Sequence, residues 1–538
     1  MNKLDLSKNS DRIFGKMLKQ QAEQAGNTPF LVNDSVSITF AQAELITNCL
    51  ATGLAAQGVG AGDRVALLIG NRPEMVLLSL AVNKLSAIWI PINTDYKGEW
   101  LLDTLERSRP SLLVIDGEFQ HLVAEIEGKL TVKQRVLIGD VETSSLSDIT
   151  SYQQLLDNDP MVVDYSKMAY SDTCAILWTS GTTGKSKGVM QSYNAWIRSI
   201  VDGSSKLYDS QEGDIIYSVL PLFNSGAWVT NIYRSLIEGI PCVIEEKFSV
   251  SQFWDRVKKF KATQTFVIGA MGIFLMNTPE KPSDKDNTLK TAGIVPLPPH
   301  LWGPFEDRFG IRLIRTGLGM SECLLVINQT DPDSDVPVYA LGFAPDDLDL
   351  DLFDEKGQPV ADGESGEICI KPLAEHLIFN GYFDNPEATE TSYRDGWFMT
   401  GDMARKDPES GAYFYVDRKK DAVRYAGRNI STLEVESVFR RHPAVEDVAA
   451  FGIPSEELPS EDELKVNVVL KADQTASAEE LCAFVNENAP HYFVPRYLDF
   501  VNSLPYTPTN KVQKFKLREQ GVSADCWDLK KSNYKVNR

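Results

Sequence analysis

An α/β fold is predicted, with a large multi-layer N-terminal domain of mixed sheets and a small α+β C-terminal domain. Three observations predict it. Short apolar runs of strand length alternate with segments of helical apolar spacing over most of the chain. At 538 residues the chain is too long to fold around one core. The five charged residues Asp417-Arg418-Lys419-Lys420-Asp421 interrupt apolar sequence and mark a boundary.

Ala41 to Gln57 places Leu45, Ile46, Cys49, Leu50 and Leu54 at helical spacing, and Gly58-Val59-Gly60 ends it. Gly62-Asp63 leads into a strand from Arg64 to Ile69. A helix from Pro73 to Leu85 follows, then strands at Ala87 to Ile92 and Ser111 to Ile115. This recurrence implies α/β layers with largely buried sheets. Asn277 to Asn287 is polar and proline-containing, and is expected to be an exposed loop. Beyond the charge run, helices from Thr432 to Arg441 and Ala478 to Asn488 flank strands at Val445 to Phe451 and Val466 to Leu470. That suffices for a domain of roughly one hundred residues. From Gly521 onward, with Lys530, Lys531 and Lys535, a polar tail is expected. The plan is therefore 1–417, a connection at 418–421, 422–520, and a tail at 521–538.

A formal charge of −21 argues against a nucleic-acid binder, which needs a basic face. The seven cysteines form no C-x-x-C pair and suit a reducing cytoplasm better than a disulfide framework. No two of the five histidines stand in an H-x-x-x-H pair, which argues against a histidine metal site. Neither a signal peptide's apolar core nor a membrane-length apolar run occurs, so a cytoplasmic protein without a membrane span is expected.

The stretch Trp178-Thr179-Ser180-Gly181-Thr182-Thr183-Gly184-Lys185-Ser186-Lys187-Gly188-Val189 carries the strongest chemistry. Glycines let the backbone bend around an anion, while hydroxyls and ammonium groups donate to it. Phosphate oxygens suit such a loop. A Walker A reading fails on spacing, because its first glycine would fall on Thr179. A plain Gly/Ser/Thr surface loop is the other reading of this stretch alone.

The stretch resembles the phosphate loop of adenylate-forming enzymes, the superfamily of AMP-dependent acyl-CoA synthetases, with Ser186 where proline is usual. Leu318-Gly319-Met320-Ser321-Glu322, Gly396-Trp397-Phe398-Met399-Thr400-Gly401-Asp402 and Pro505 to Lys514 resemble later motifs of the same superfamily, in order. Gly366-Glu367-Ile368, Gly381-Tyr382 and Asn385 to Thr389 resemble its connecting motif and read as structural.

The resemblance implies ATP, Mg2+ and CoA as cofactors and a small carboxylate as partner, with a homodimer left open. Thr179, Ser180, Gly181, Thr182, Thr183 and Gly184 would cradle phosphates, with Lys187 as the loop lysine. Ser321 would donate to phosphate, and Glu322 would hold Mg2+. Leu318 replaces the aromatic residue that stacks on adenine in relatives, beside Gly319 and Met320. Gly293, Ile294 and Val295 would line the adenine and acyl pocket, narrowed by the two bulkier side chains. Asp402 would bind the ribose hydroxyls, and Arg418 the ribose or phosphate. Lys420 falls on the hinge of a mobile C-terminal domain. Lys511 occupies the catalytic lysine position, where an ammonium stabilises charge as the new bond forms. Tyr425, Ala426 and Gly427 would face CoA.

The acyl pocket is expected from Phe223, Asn224, Ser225, Trp228, Val267, Gly269, Ala270 and Met271. Asn224 and Tyr193 stand where histidines are common in relatives. The layout around Glu246 to Ser249 and Phe253-Trp254 is similar to crotonobetaine/carnitine-CoA ligases, and Trp228 could face a trimethylammonium head. A short or medium polar acid is the other expectation. The implied reaction makes an acyl-AMP and then an acyl-CoA thioester. Two alternatives stand beside it: transfer of acyl-AMP to a carrier protein or amine, and a nucleotide-binding protein with impaired catalysis.

Overall fold

A computed structural model of the chain describes residues 2–179, 186–331, 334–418, 423–425, 428–430, 432–455, 462–489, 491–506 and 512–536. They fall into two compact units: residues up to Asp349 with Pro372–Thr391, and Leu350–Lys371 with the residues from Ser392 onward. The division thus falls ahead of the charge run at Asp417. The strands Ser365–Pro372, Trp397–Lys406 and Tyr413–Arg418 pair with one another as a sheet that ends where the charge run begins.

The first unit holds two seven-stranded sheets. One orders its strands Ile149–Ser151, Gln134–Ile138, Leu112–Asp116, Arg64–Leu68, Ile88–Pro91, Thr173–Trp178 and Gly188–Ser192. All pairings are parallel except the last, where Gly188–Ser192 turns back against Thr173–Trp178. The other runs Arg312–Ile314, Thr291–Val295, Gln264–Ile268, Ile216–Ser218, Cys242–Ile244, Pro29–Val32 and Ser37–Thr39, again antiparallel only at one edge. Both sheets are therefore mixed, as the sequence predicts.

Local chemistry explains the elements. Thr39 and Gln42 form a reciprocal capping box that starts the helix Phe40–Ala56. Pro73 opens the helix Pro73–Lys84 at its first turn, where no backbone donor is needed. Leu112–Asp116 is buried along its whole length, as a strand covered on both faces must be. The polar segment after Met276 forms neither helix nor strand. Asn287 and Asp284 nonetheless tie it to Phe309 and Arg308.

In the second unit, Val445–Pro454, Asp462–Leu470, Tyr497–Phe500 and Trp527–Asp528 form a four-stranded sheet. Helices Thr432–Arg440 and Ala478–Asn488 pack on it through Phe439, Leu481 and Val485. The residues after Gly521 depart from the expected polar tail. Trp527 pairs with Leu498, Arg496 grips Asp528 at 2.6 Å, and Tyr534 and Val536 pack on the core. Among the described residues no helix is long and apolar enough to cross a membrane.

Candidate active site

The phosphate-loop motif leaves the end of the strand Thr173–Trp178 and returns as Gly188–Ser192, with Trp178 opposite Gly188. Its root is stitched closed. Thr179 N donates to Lys187 O at 3.0 Å, and Lys187 N to Thr179 Oγ1 at 3.3 Å. Ser186, the departure from proline, donates its hydroxyl to the Thr179 carbonyl. Arg107 reaches in from the helix Gly98–Ser108, giving Ser186 O a hydrogen bond of 2.6 Å and lying 4.7 Å from the Trp178 ring centre. Trp178 Nε1 is held by Ser108 Oγ at 2.8 Å. Ser180, Gly181, Thr182, Thr183 and Gly184 lie outside the described residues.

Lys187 and Glu322 come together in the first unit, and Tyr382 joins them. The Lys187 Nζ sits 4.4 Å from the Tyr382 ring centre, and the Tyr382 hydroxyl donates to Glu322 Oε1 at 2.8 Å. Glu322 is only 9% exposed. The segment 379–383 reaches this place through its backbone. Asn380 N and Met190 O, Met190 N and Gly381 O, and Phe383 N and Gly188 O pair at 2.7, 3.0 and 2.7 Å. Phe379 N donates to Glu322 O at 2.9 Å. Sequence reasoning took Gly381-Tyr382 as structural and missed this contact.

The turn bearing Glu322 depends on Gly319, where a Cβ would meet Leu324 O at 2.5 Å. Leu318 pairs with Ile327, and Met320 N donates to Cys323 O at 2.9 Å. The Ser321 carbonyl accepts from Gln191 of the strand Gly188–Ser192, so the loop strand and the Glu322 turn are tied directly. A carboxylate in this setting fits Mg2+, which takes one or two protein carboxylates and completes its shell with phosphate oxygens and water. No group of three or more metal-ligating side chains occurs among the described residues.

Gly293 lies in the strand Thr291–Val295 and donates to Tyr208 Oη at 3.1 Å, while Arg234 stacks 3.9 Å from that ring's centre. Ile294 is buried in the core with Val267 and half-buried Met271, whereas Val295 is half-buried. Of the remaining acyl candidates, Asn224 and Ala270 are exposed and Phe223 and Ser225 half-buried. Gly269 is fixed as glycine, since a Cβ would fall 1.7 Å from Pro296 O. Trp228 departs from its expected role. It is 0% exposed, packed with tilted rings against Trp89 at 4.4 Å and Tyr233 at 4.9 Å, and donates Nε1 to Leu222 O at 2.7 Å. Burial in an aromatic core gives it no face for a cationic substrate. Tyr193 is buried likewise, edge-on to Phe14, and desolvation pushes its hydroxyl pKa well up.

In the second unit, Asp402 lies in the strand Trp397–Lys406 directly opposite Arg418. It is 8% exposed, and the Tyr415 hydroxyl donates to its Oδ1 at 2.8 Å. Thr400 Oγ1 accepts from Asp402 N at 3.1 Å, and Glu367 Oε1 from Gly401 N at 2.9 Å. These bonds fix the carboxylate's direction. Arg418 and Tyr425 are described through their backbone alone, whereas Lys420, Ala426, Gly427 and Lys511 lie outside the described residues.

Comparison with known proteins agrees with these motifs. Residues 18–383 match the model of the AMP-binding enzyme family, and residues 434–511 that of the AMP-binding enzyme C-terminal domain. The chain is 31% identical over 524 residues to a crotonobetaine/carnitine–CoA ligase of Citrobacter koseri, covering 94% of this chain and 100% of the relative. An anthranilate CoA ligase solved with anthranoyl-AMP shares the fold at a TM-score of 0.84 and 24% identity, over 96% of this chain and 98% of the other. An o-succinylbenzoate CoA synthetase of Bacillus subtilis, solved with its acyl-adenylate, gives 0.78 and 26%, over 93% and 97%. On its motifs, its fold and these matches, the chain belongs to the AMP-binding enzyme family.

Proposed function

We propose that this AMP-forming acid–CoA ligase activates its carboxylate through Lys187, Glu322, Asp402 and Lys511. The observation that carries this reading is the cluster of Lys187, Tyr382 and Glu322 at the root of the phosphate-loop motif. A cation and a buried carboxylate that share one aromatic neighbour suit a triphosphate with its counter-ion.

In the first half-reaction a carboxylate oxygen attacks the α-phosphorus of ATP. A bond forms from that oxygen to phosphorus as the bond to the β-phosphate oxygen breaks, releasing pyrophosphate and leaving acyl-AMP. Lys187 and the hydroxyl-rich loop receive the β- and γ-phosphates. Asp402, aimed by Tyr415, accepts from the ribose hydroxyls and sets the nucleotide's position. Glu322 would hold Mg2+, which when bound would supply positive charge against the phosphate oxygens. Lys511 stabilises the charge gathered around the α-phosphate. In the second half-reaction the CoA thiolate attacks the acyl carbonyl and AMP leaves with the bonding electron pair. Residues 418–421, with Lys420, serve as the hinge for the exchange between the two steps, and Tyr425, Ala426 and Gly427 face the incoming thiol.

For the acid, the relatives named as crotonobetaine/carnitine–CoA ligases support a short, polar carboxylate. Half-buried Phe223 and exposed Asn224 offer mixed apolar and polar contacts rather than a long apolar bore. A cytoplasmic location goes with this reading, supported by seven cysteines present as free thiols.

A panel of crotonobetaine, carnitine, short linear acids and benzoate, assayed for pyrophosphate release with and without CoA, tests the proposal. Release that depends on one polar acid, with thioester appearing only when CoA is added, is expected. Release without thioester would favour delivery of acyl-AMP to another acceptor.

A further inference from the structure

Tyr382 belongs to neither the phosphate loop nor the Glu322 motif, yet it touches the functional group of each. Its phenol donates to Glu322 Oε1 at 2.8 Å, and its ring carries the Lys187 ammonium 4.4 Å from its centre. The ring is 6% exposed, and its backbone bridges to Val189, two residues past Lys187. Tyr382 N is itself held by Thr389 Oγ1 at 2.9 Å, so the ring's origin is fixed from behind. Phe379, three residues earlier, binds the Glu322 carbonyl.

An ammonium and a carboxylate that both contact one side chain would, if they met, attract one another as a direct ion pair. That pair would occupy the groups that must meet phosphate and metal. An aromatic face attracts the ammonium without taking a carboxylate's place. A phenol hydroxyl bonded to one carboxylate oxygen orients the group.

We infer that Tyr382 is a positioning residue: it aims the Glu322 carboxylate for the divalent cation and seats Lys187 apart from it, ready for phosphate. The inference rests on the assignment of Glu322 to the metal and Lys187 to phosphate.

Two substitutions separate the two contacts. Tyr382→Phe keeps the ring and removes the hydroxyl, while Tyr382→Leu removes both. Calorimetric titration of Mg2+ into full-length protein saturated with a non-hydrolysable ATP analogue gives a readout independent of turnover. Tyr382→Phe should weaken Mg2+ binding about tenfold, the scale for losing an outer partner of a metal ligand. The same factor should appear in half-saturating Mg2+ for pyrophosphate release, with the rate at saturating Mg2+ largely restored. Tyr382→Leu should in addition weaken binding of the ATP analogue in the absence of Mg2+. Glu322→Gln, measured alongside, should weaken Mg2+ binding at least as much as Tyr382→Phe. Unchanged Mg2+ binding in Tyr382→Phe, with Glu322→Gln weakened, overturns the role of Tyr382 alone. Unchanged Mg2+ binding in Glu322→Gln overturns the metal assignment and the inference together.

Discussion

Individual side chains here divide into those whose chemistry is used and those that only pack. The proposed mechanism puts Asp402 in the first kind, and the Tyr415 hydroxyl donates to its carboxylate. Asp402→Ala should chiefly weaken ATP binding, and fluorescence titration with a labelled ATP analogue checks it, unchanged affinity counting against the ribose contact. Trp228 is of the second kind. Trp228→Ala should cost about 3–5 kcal/mol, the range for emptying a buried aromatic site. Urea denaturation reads that loss, and acid preference should stay as it was in the fraction that folds. Asp402 was singled out from sequence because it closes the motif Gly396 to Asp402, and Glu322 because it closes the shorter Leu318 to Glu322. The packing of Trp228 was not legible, because a tryptophan's sequence surroundings do not reveal whether its face meets solvent or, as here, Trp89 and Tyr233. Tyr382 and Tyr415 escaped for a related reason. A hydroxyl's partner is set by register across strands, which spacing along one chain does not show.

Among elements, the antiparallel turn of Gly188–Ser192 on Thr173–Trp178 converts a parallel sheet edge into a platform for the phosphate-loop motif. Arg107 and Ser186 close its root. The Ser186 substitution, which from sequence is a mere departure, proves to add a hydrogen bond in the place of a rigid ring. Helices and strands near the N-terminus match their expected spans within a residue or two. In Phe40–Ala56 the buried face carries Ala43, Thr47, Leu50 and Leu54, whereas Leu45, expected on the apolar face, is exposed. The helix Pro73–Lys84 ends on a more unusual feature. Lys84 is fully buried, donating to Glu44 Oε2 at 2.7 Å and Asn48 Oδ1 at 2.6 Å. Desolvation outweighs the Glu44 attraction and lowers its pKa to about 8 from an ordinary 10.5. Below about 8 the lysine is charged folded or unfolded, and the folded state bears the full burial cost. As pH rises from there toward 10.5 the folded chain loses this proton first, so the Lys84 contribution to stability rises with pH. Denaturant midpoints should therefore climb more across that window in the unmodified protein than in Lys84→Met. Equal slopes would show that the lysine titrates normally.

For the whole molecule, the order of motifs along the chain made the family readable. The charge run at Asp417 suggested a boundary, and Ser365–Pro372, Trp397–Lys406 and Tyr413–Arg418, which precede or reach it, pair in one sheet. Lysines near the C-terminus masked Trp527, Tyr534 and Val536, which pack on the core of the second unit. Lys511→Ala should slow acyl-AMP formation by about 10²–10³-fold, the scale of losing one charge-stabilising donor. Thioester formation from supplied acyl-AMP should be largely spared, and equal loss in both steps would contradict the role. The central claim, that the chain joins an acid to CoA through an adenylate, is tested most directly by product stoichiometry. With ATP labelled at the α-phosphate, a productive acid and CoA, each acyl-CoA formed should be matched by one AMP and one pyrophosphate. Formation of ADP and free phosphate, or AMP released with no thioester, would contradict it.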